Sequence, residues 1–105
     1  MTTNWIGEWK NQYGSNLSIT RVHDGRIEGF FQSAVDKSIK GHPINGICTG
    51  NLIAIAVASG TEGEKIATWT GIFHEGRIET LWHVAVGGKG LWESFLTGSD
   101  IFTRA

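Results

Sequence analysis

The sequence predicts an all-β fold, an eight-stranded antiparallel up-and-down β-barrel. Three observations predict it. Short segments rich in Ile, Val, Thr, Phe and Trp recur at roughly ten-residue spacing between turn clusters, and no helical stripe of useful length interrupts them. Fifteen glycines stand against one proline, a balance that serves tight turns without spoiling hydrogen-bond ladders. A flat sheet of so many strands would leave two unpaired edges, and closure into a barrel removes them.

The first strand, Gly7–Asn11, runs into the turn YGSN. Asn16–Val22 follows, with Ser15, Leu17 and Ile19 on one face by the two-residue alternation of a strand. HDGR turns the chain into Arg26–Gln32. The stretch from Ser33 to Pro43 lacks strand character, and a connection of that length in a small domain is often functional. Ile44–Thr49 and Leu52–Ser59 are joined by TGN, and Ile53, Ile55, Val57 and Ser59 share a face. SGTEGE leads to Lys65–Phe73, and HEGR leads to Arg77–Val86, where Trp82, Val84 and Val86 oppose Leu81 and His83. GGKG precedes the last strand, Trp92–Arg104, with Leu96, Gly98 and Asp100 on one face. His23-Asp24-Gly25-Arg26-Ile27-Glu28 recurs as His74-Glu75-Gly76-Arg77-Ile78-Glu79. Each copy is a hairpin turn with glycine in the left-handed position, a solution two hairpins can reach independently.

A chain of 105 residues is one domain with one core, spanning 1–105. Nine basic and ten acidic residues give a net charge of -1 and no basic stripe, so nucleic acid is not an expected partner. The longest apolar run, Leu52 to Ala58, is too short for a helix to span a bilayer. The N-terminus lacks a basic segment followed by an apolar stretch, so the expectation is a cytoplasmic protein unless a leader has been removed. Cys48 has no partner cysteine in its own chain and reads as a small buried hydrophobe. No three ligands stand at metal-binding spacing, so neither a metal nor a cofactor is expected.

Five tryptophans in so short a chain exceed what a core needs, and Trp69, Trp82 and Trp92 fall on strand-like segments. Large, stiff rings on inward faces are suited to the walls of a small-molecule cavity. Eight strands enclose a lumen just wide enough for side chains or one small ligand.

Five blocks in order carry a family resemblance: GEWKNQYGS (Gly7 to Ser15), GFFQSAV (Gly29 to Val35), ATWTG (Ala67 to Gly71), RIETLWHVA (Arg77 to Ala85) and WESFLTGSDIFTR (Trp92 to Arg104). Together they resemble the avidin and streptavidin family. The resemblance implies tight, noncovalent capture of biotin without turnover, with biotin as ligand and not as cofactor. It implies that Asn11 and Ser15 donate to the ureido oxygen, and that Ser33 and Asp100 each accept from one ureido N–H. Trp69 and Trp82 would be the aromatic walls, and Val84 and Leu96 the apolar side, with Tyr13 and Phe31 also at the ligand. Val35 and the segment Asp36 to His42 would form a lid. Trp92 would cap the pocket of a neighbouring subunit, which implies a homotetramer, with a dimer as the fallback. Apolar residues on both faces of the fifth and seventh strands point independently to subunit contacts.

Four positions depart from the family pattern. Phe31 replaces a tyrosine that helps hold the ureido oxygen, and one such hydrogen bond contributes about 1–3 kcal/mol. Ser59 replaces a tryptophan wall. Lys65 replaces a serine near the ligand carboxylate, where an ammonium can pair with it, although a lysine at a strand end is more often simply solvated. Ala67 replaces a threonine near the ring sulfur, unless a shifted register brings Thr68 there. The expectation is biotin binding weaker than in the strongest family members. The alternative is the same barrel adapted to a sugar or another metabolite. A catalytic reading would need Asp100 as general base beside Ser15 or Ser33. No histidine shares the inner face and no nucleophile–base pair has a recognisable spacing, so no enzyme is expected.

Overall fold

Antiparallel pairing of each strand with its neighbour in sequence, and of the last strand with the first, closes the sheet into an eight-stranded barrel. The structure is a computed structural model and describes residues 3–34, 41–59, 64–87 and 95–105. The strands are β1 (Gly7–Lys10), β2 (Asn16–His23), β3 (Arg26–Gln32), β4 (His42–Thr49), β5 (Leu52–Ser59), β6 (Lys65–His74), β7 (Arg77–Val86) and β8 (Phe95–Arg104). Closure is short: Trp9 faces Arg104, Lys10 faces Thr103, and the Ala105 amide donates to the Glu8 carbonyl at 3.0 Å.

The strands differ from the sequence reading in several bounds and in one bulge, while β2 and β6 each run one residue further, to His23 and His74. β1 stops at Lys10 because Asn11 turns its side chain to the following loop. β4 begins at His42 and takes in Pro43, whose missing N–H is tolerated next to a strand start. β2 carries a bulge between Ile19 and Arg21, which no turn residue marks in the sequence. Residues 92–94 of the expected last strand, Trp92 among them, lie outside the described residues, as do Val35 and 36–40 of the expected lid.

The repeated hairpin turns have the geometry their glycines require. Asp24 and Gly25 have φ of 49° and 73°, and Glu75 and Gly76 have 51° and 81°. Positive φ at both central residues is the type I′ turn, whose twist matches that of the flanking strands. His23 and His74 lie exposed beside the acid of their own turn, at 3.2 Å from Asp24 and 3.6 Å from Glu75.

Alternation along the strands sorts the side chains. Leu17 and Ile19, Ile27 and Phe31, Ile53, Ile55 and Val57, Ala67 and Trp69, Ile78, and Phe102 are buried inward. At the end of the barrel that carries the N-terminus and the two type I′ turns, the lumen is filled. Trp9 is fully buried, donates its indole N–H to the Trp5 carbonyl at 2.9 Å, and meets Phe73 edge-on at 6.3 Å. The Arg104 guanidinium lies 4.0 Å above the Trp9 ring and donates to the Ile6 carbonyl at 2.7 Å and to the Asn4 carbonyl. A cation over an indole face and aromatic edges on it make this end a solid plug.

Candidate ligand-binding site

The opposite end of the barrel is hollow. A cavity of about 130 Å³, open at its mouth, is lined from β1–β2, β3, β5, β6, β7 and β8. Its polar side is built around Asp100, which stands one inward step from the plug residue Phe102 and is 5% exposed. Asp100 Oδ2 accepts from the Trp69 indole N–H at 3.1 Å and from Asn11 Nδ2 at 3.1 Å. Asp100 Oδ1 accepts from Gln12 Nε2 at 3.3 Å. Its backbone carbonyl accepts from Thr80 Oγ1 at 2.9 Å. A carboxylate held by donors from β6 and from the β1–β2 turn is fixed in place; its Oδ2 already accepts two hydrogen bonds, and its Oδ1 keeps an acceptor site for a ligand.

Asn11 does two jobs. Its Oδ1 accepts from the backbone N–H of Tyr13 at 3.0 Å and of Ser15 at 2.9 Å, which shapes the β1–β2 turn. Its amide donates one hydrogen to Asp100, and the second belongs to a group that lines the cavity. Capping the turn and facing a ligand are therefore compatible roles. Ser15 is 2% exposed, and its Oγ accepts the Ala34 N–H at 2.8 Å. A hydroxyl that accepts this way keeps its own hydrogen for donation into the cavity. Ser33 lines the same side, half-buried.

The walls are aromatic and aliphatic. Phe31 and Trp69 are in contact at 4.8 Å between ring centroids, tilted by 52°. Trp69 faces Trp82 across β6–β7, and Trp82 faces Gly98 across β7–β8. A Cβ built on Gly98 would lie 2.3 Å from Trp82 Cζ2, so the indole rests where a side chain would otherwise stand. Val57, Ala67 and Val84 complete the sleeve, and Ser59, Lys65 and Tyr13 are at the cavity as well.

Among the described residues, Asn11, Tyr13, Ser15, Phe31, Ser33, Trp69, Trp82, Val84 and Asp100 are brought together around one hollow. Leu96 is a correction. It pairs with Val84 and keeps the inward alternation of Gly98 and Asp100, but it is 58% exposed and outside the lining. It sits near the start of β8, at the rim, where the alternation continues but the side chain is exposed. Val35 and Trp92 lie outside the described residues. The register also decides between Ala67 and Thr68: Ala67 is buried at the cavity, and Thr68 points to the other face of β6. Sequence reasoning missed Gln12. Besides holding Asp100, its Oε1 accepts the Ile101 N–H at 2.9 Å and its Nε2 donates to the Ser99 carbonyl at 3.1 Å. Its position next to Asn11 in the turn was the one signal available.

The whole chain, residues 1–105, matches the Avidin family. The chain belongs to that family. Solved avidins share its architecture. Xenavidin is 25% identical with a TM-score of 0.86, covering 100% of both chains. Apo shwanavidin is 25% identical with a TM-score of 0.84, again over 100% of both chains. Bradavidin2 in complex with biotin is 26% identical with a TM-score of 0.82, covering 98% of this chain and 99% of its own. In this avidin the four departures read from the sequence, Phe31, Ser59, Lys65 and Ala67, all line the one cavity.

Proposed function

We propose that this avidin binds biotin in the hollow half of the barrel, one ligand per chain and without turnover. The observation that carries the reading is the Asp100 cluster. A carboxylate preset by Trp69, Asn11 and Gln12 stands beside the donor hydrogens of Asn11 and Ser15. A cyclic urea presents one strong acceptor and two N–H donors. Asn11 and Ser15 suit the oxygen, and Asp100 and Ser33 suit the N–H groups. Donors on the oxygen and a carboxylate on an N–H polarise the urea in the same sense. Trp69, Trp82 and Phe31 bury the bicyclic body at low entropic cost. Family membership and the biotin complexes among the structural neighbours support the same assignment.

Phe31 leaves the ureido oxygen one donor short of the usual family set, so affinity falls below that of the strongest members. Phe31, Ser59, Lys65 and Ala67 also favour a second reading, in which the pocket accepts a different small metabolite. Calorimetric titration with biotin, and with desthiobiotin as the partner lacking sulfur, decides between them. Saturation at one biotin per chain is expected. Folded protein that takes up no biotin overturns the first reading and leaves the second.

The same proposal includes self-association. Leu52, Ile66, Ile72, Leu81 and Ile101 are all at least 45% exposed on the outer surface of β5 to β8. Exposed apolar residues of this kind on neighbouring strands are suited to a second copy of the chain. A homotetramer is the expected assembly, with a dimer as the fallback, and sedimentation as a monomer at micromolar concentration overturns it.

A further inference from the structure

Pairing between β1 and β8 stops early. Trp9 faces Arg104 and Lys10 faces Thr103, and β1 ends there, while β8 continues past Thr103 to Asp100 and beyond. Carried on in the same register, the ladder would set Gln12 opposite Ile101. The Gln12 side chain takes up that rung. Its Oε1 accepts the Ile101 N–H at 2.9 Å, and its Nε2 donates to the Ser99 carbonyl at 3.1 Å. Two backbone groups of β8 that β1 does not reach are thereby satisfied by a side-chain amide, which offers the same donor and acceptor types as a peptide unit. Nε2 also donates to Asp100 Oδ1, at 3.3 Å. Trp69 and Asn11 both donate to Oδ2, and among the described residues Gln12 is the donor to Oδ1. A carboxyl group turns through a broad well about its last side-chain bond. Donors on one oxygen hold that oxygen, and a donor on the other sets the plane. Gln12 itself is exposed and is not part of the cavity lining.

We infer that Gln12 is a positioning residue: it transmits the closure of the β1–β8 seam to the plane of the Asp100 carboxylate, and so sets the direction in which Oδ1 meets a ligand N–H. The inference rests on the proposed binding of biotin with its urea at Asp100. A hydrogen bond weakens steeply with misalignment, so a carboxylate free to turn holds the ligand less well even where the cavity keeps its shape. The Gln12 contact is long at 3.3 Å, and its loss should weaken biotin by about three- to tenfold.

The test is a double-mutant cycle of Gln12→Met with Asp100→Ala, with biotin affinity measured by calorimetry and folding checked by circular dichroism. Methionine keeps the side chain's length and removes its amide. Against the parent, Gln12→Met should weaken biotin by that factor; in the Asp100→Ala background it should do so by less than about twofold. A residue that only staples the seam would lose the same affinity in both backgrounds, so equal losses overturn the inference while leaving biotin binding intact. So does parent-like affinity in Gln12→Met. Gln12→Glu keeps an acceptor for the Ile101 N–H but sets a second carboxylate against Asp100. It should weaken biotin more than Gln12→Met does, and a smaller loss also overturns the inference. If the folded parent takes up no biotin, the reading of the pocket as a biotin site falls, and the inference falls with it.

Discussion

The same eight strands build both ends of this barrel, and the two ends are finished in opposite ways. At the N-terminal end, inward positions carry Trp9, Ile27, Ile53, Ile78 and Phe102, all nearly inaccessible, and Arg104 seals the plug from outside. At the other end, inward positions further along the same strands carry Phe31, Val57, Trp82 and Asp100, and a cavity remains. Side-chain volume alone does not explain the change, since Trp82 is as large as Trp9. What differs is how each ring is placed. Trp9 points its N–H back to the Trp5 carbonyl and fills the lumen, while Trp82 packs against Gly98 and lines the wall. One end converts apolar burial into stability, and the other holds rings and hydrogen bonds open for a guest. Variants in the two ends should therefore fail in different assays.

The largest effect is expected in the plug. Trp9→Ala removes a fully buried ring together with its contacts to Phe73 and Arg104. Replacing a buried tryptophan by alanine costs about 3–5 kcal/mol. In a chain of this size that lowers the melting temperature on the order of 10–20 °C. Thermal unfolding followed by circular dichroism measures it, and biotin affinity of the folded protein should change by less than about threefold. A variant that melts normally but loses biotin would show that the two ends are not separable.

Asp100→Ala tests the reverse. It removes the acceptor proposed for a ligand N–H and releases Trp69 and Asn11 from their shared partner. Hydrogen bonds to a charged group contribute about 1.5–3 kcal/mol each, so losing one should weaken biotin binding by about 10- to 150-fold. Water can enter the open cavity and satisfy the released donors, which keeps the loss of stability below that of the plug variant. Parent-like affinity in Asp100→Ala would mean that the ligand's head lies elsewhere.

The barrel and its inward faces were legible in the sequence, the asymmetry of its two ends was not, and the misses have identifiable reasons. Strand periodicity and the HDGR and HEGR turns are local, and they gave the barrel, the inward faces and the type I′ geometry. Parity, however, says which face a residue takes and not how far along the lumen it stands. Leu96 follows the same alternation as Asp100 and ends at the uncovered rim. Parity alone also left Ala67 and Thr68 interchangeable until cross-strand register, Ala67 opposite Val84, was available. Gln12 was missed because its partners are on β8, almost the whole chain away, and only barrel closure brings them near. The plug was missed because nothing local distinguishes a tryptophan that fills a lumen from one that lines it.

Gly98 is where the lining mode can be attacked without touching a polar group. An added methyl at 2.3 Å from Trp82 Cζ2 cannot be accommodated unless the indole moves. Overpacking of this kind costs about 1–3 kcal/mol. Because Trp82 borders an open cavity, the ring has somewhere to go, and the cost should appear mainly as lost ligand affinity. Gly98→Ala is expected to weaken biotin by about tenfold and to change the tryptophan fluorescence response on binding. A fall in melting temperature as large as that of Trp9→Ala would place Trp82 with the plug instead.

The smallest effect runs in the favourable direction. Phe31 is buried, touches Trp69 and lines the cavity, but its ring offers no donor. In the proposed binding mode Asn11 and Ser15 are then the two donors to the ureido oxygen. Phe31→Tyr adds a hydroxyl at the ring edge, in a space where water can satisfy it before the ligand arrives. One further hydrogen bond to a polarised oxygen contributes about 1 kcal/mol, so biotin should bind roughly fivefold more tightly, with little change in melting temperature. The gain must depend on the urea: a ligand analogue lacking the ureido oxygen should not profit from the new hydroxyl. Tighter binding of both compounds would mean that the tyrosine acts by filling space, and weaker binding of both would mean that Phe31 is a packing partner of Trp69 before it is a wall of the pocket.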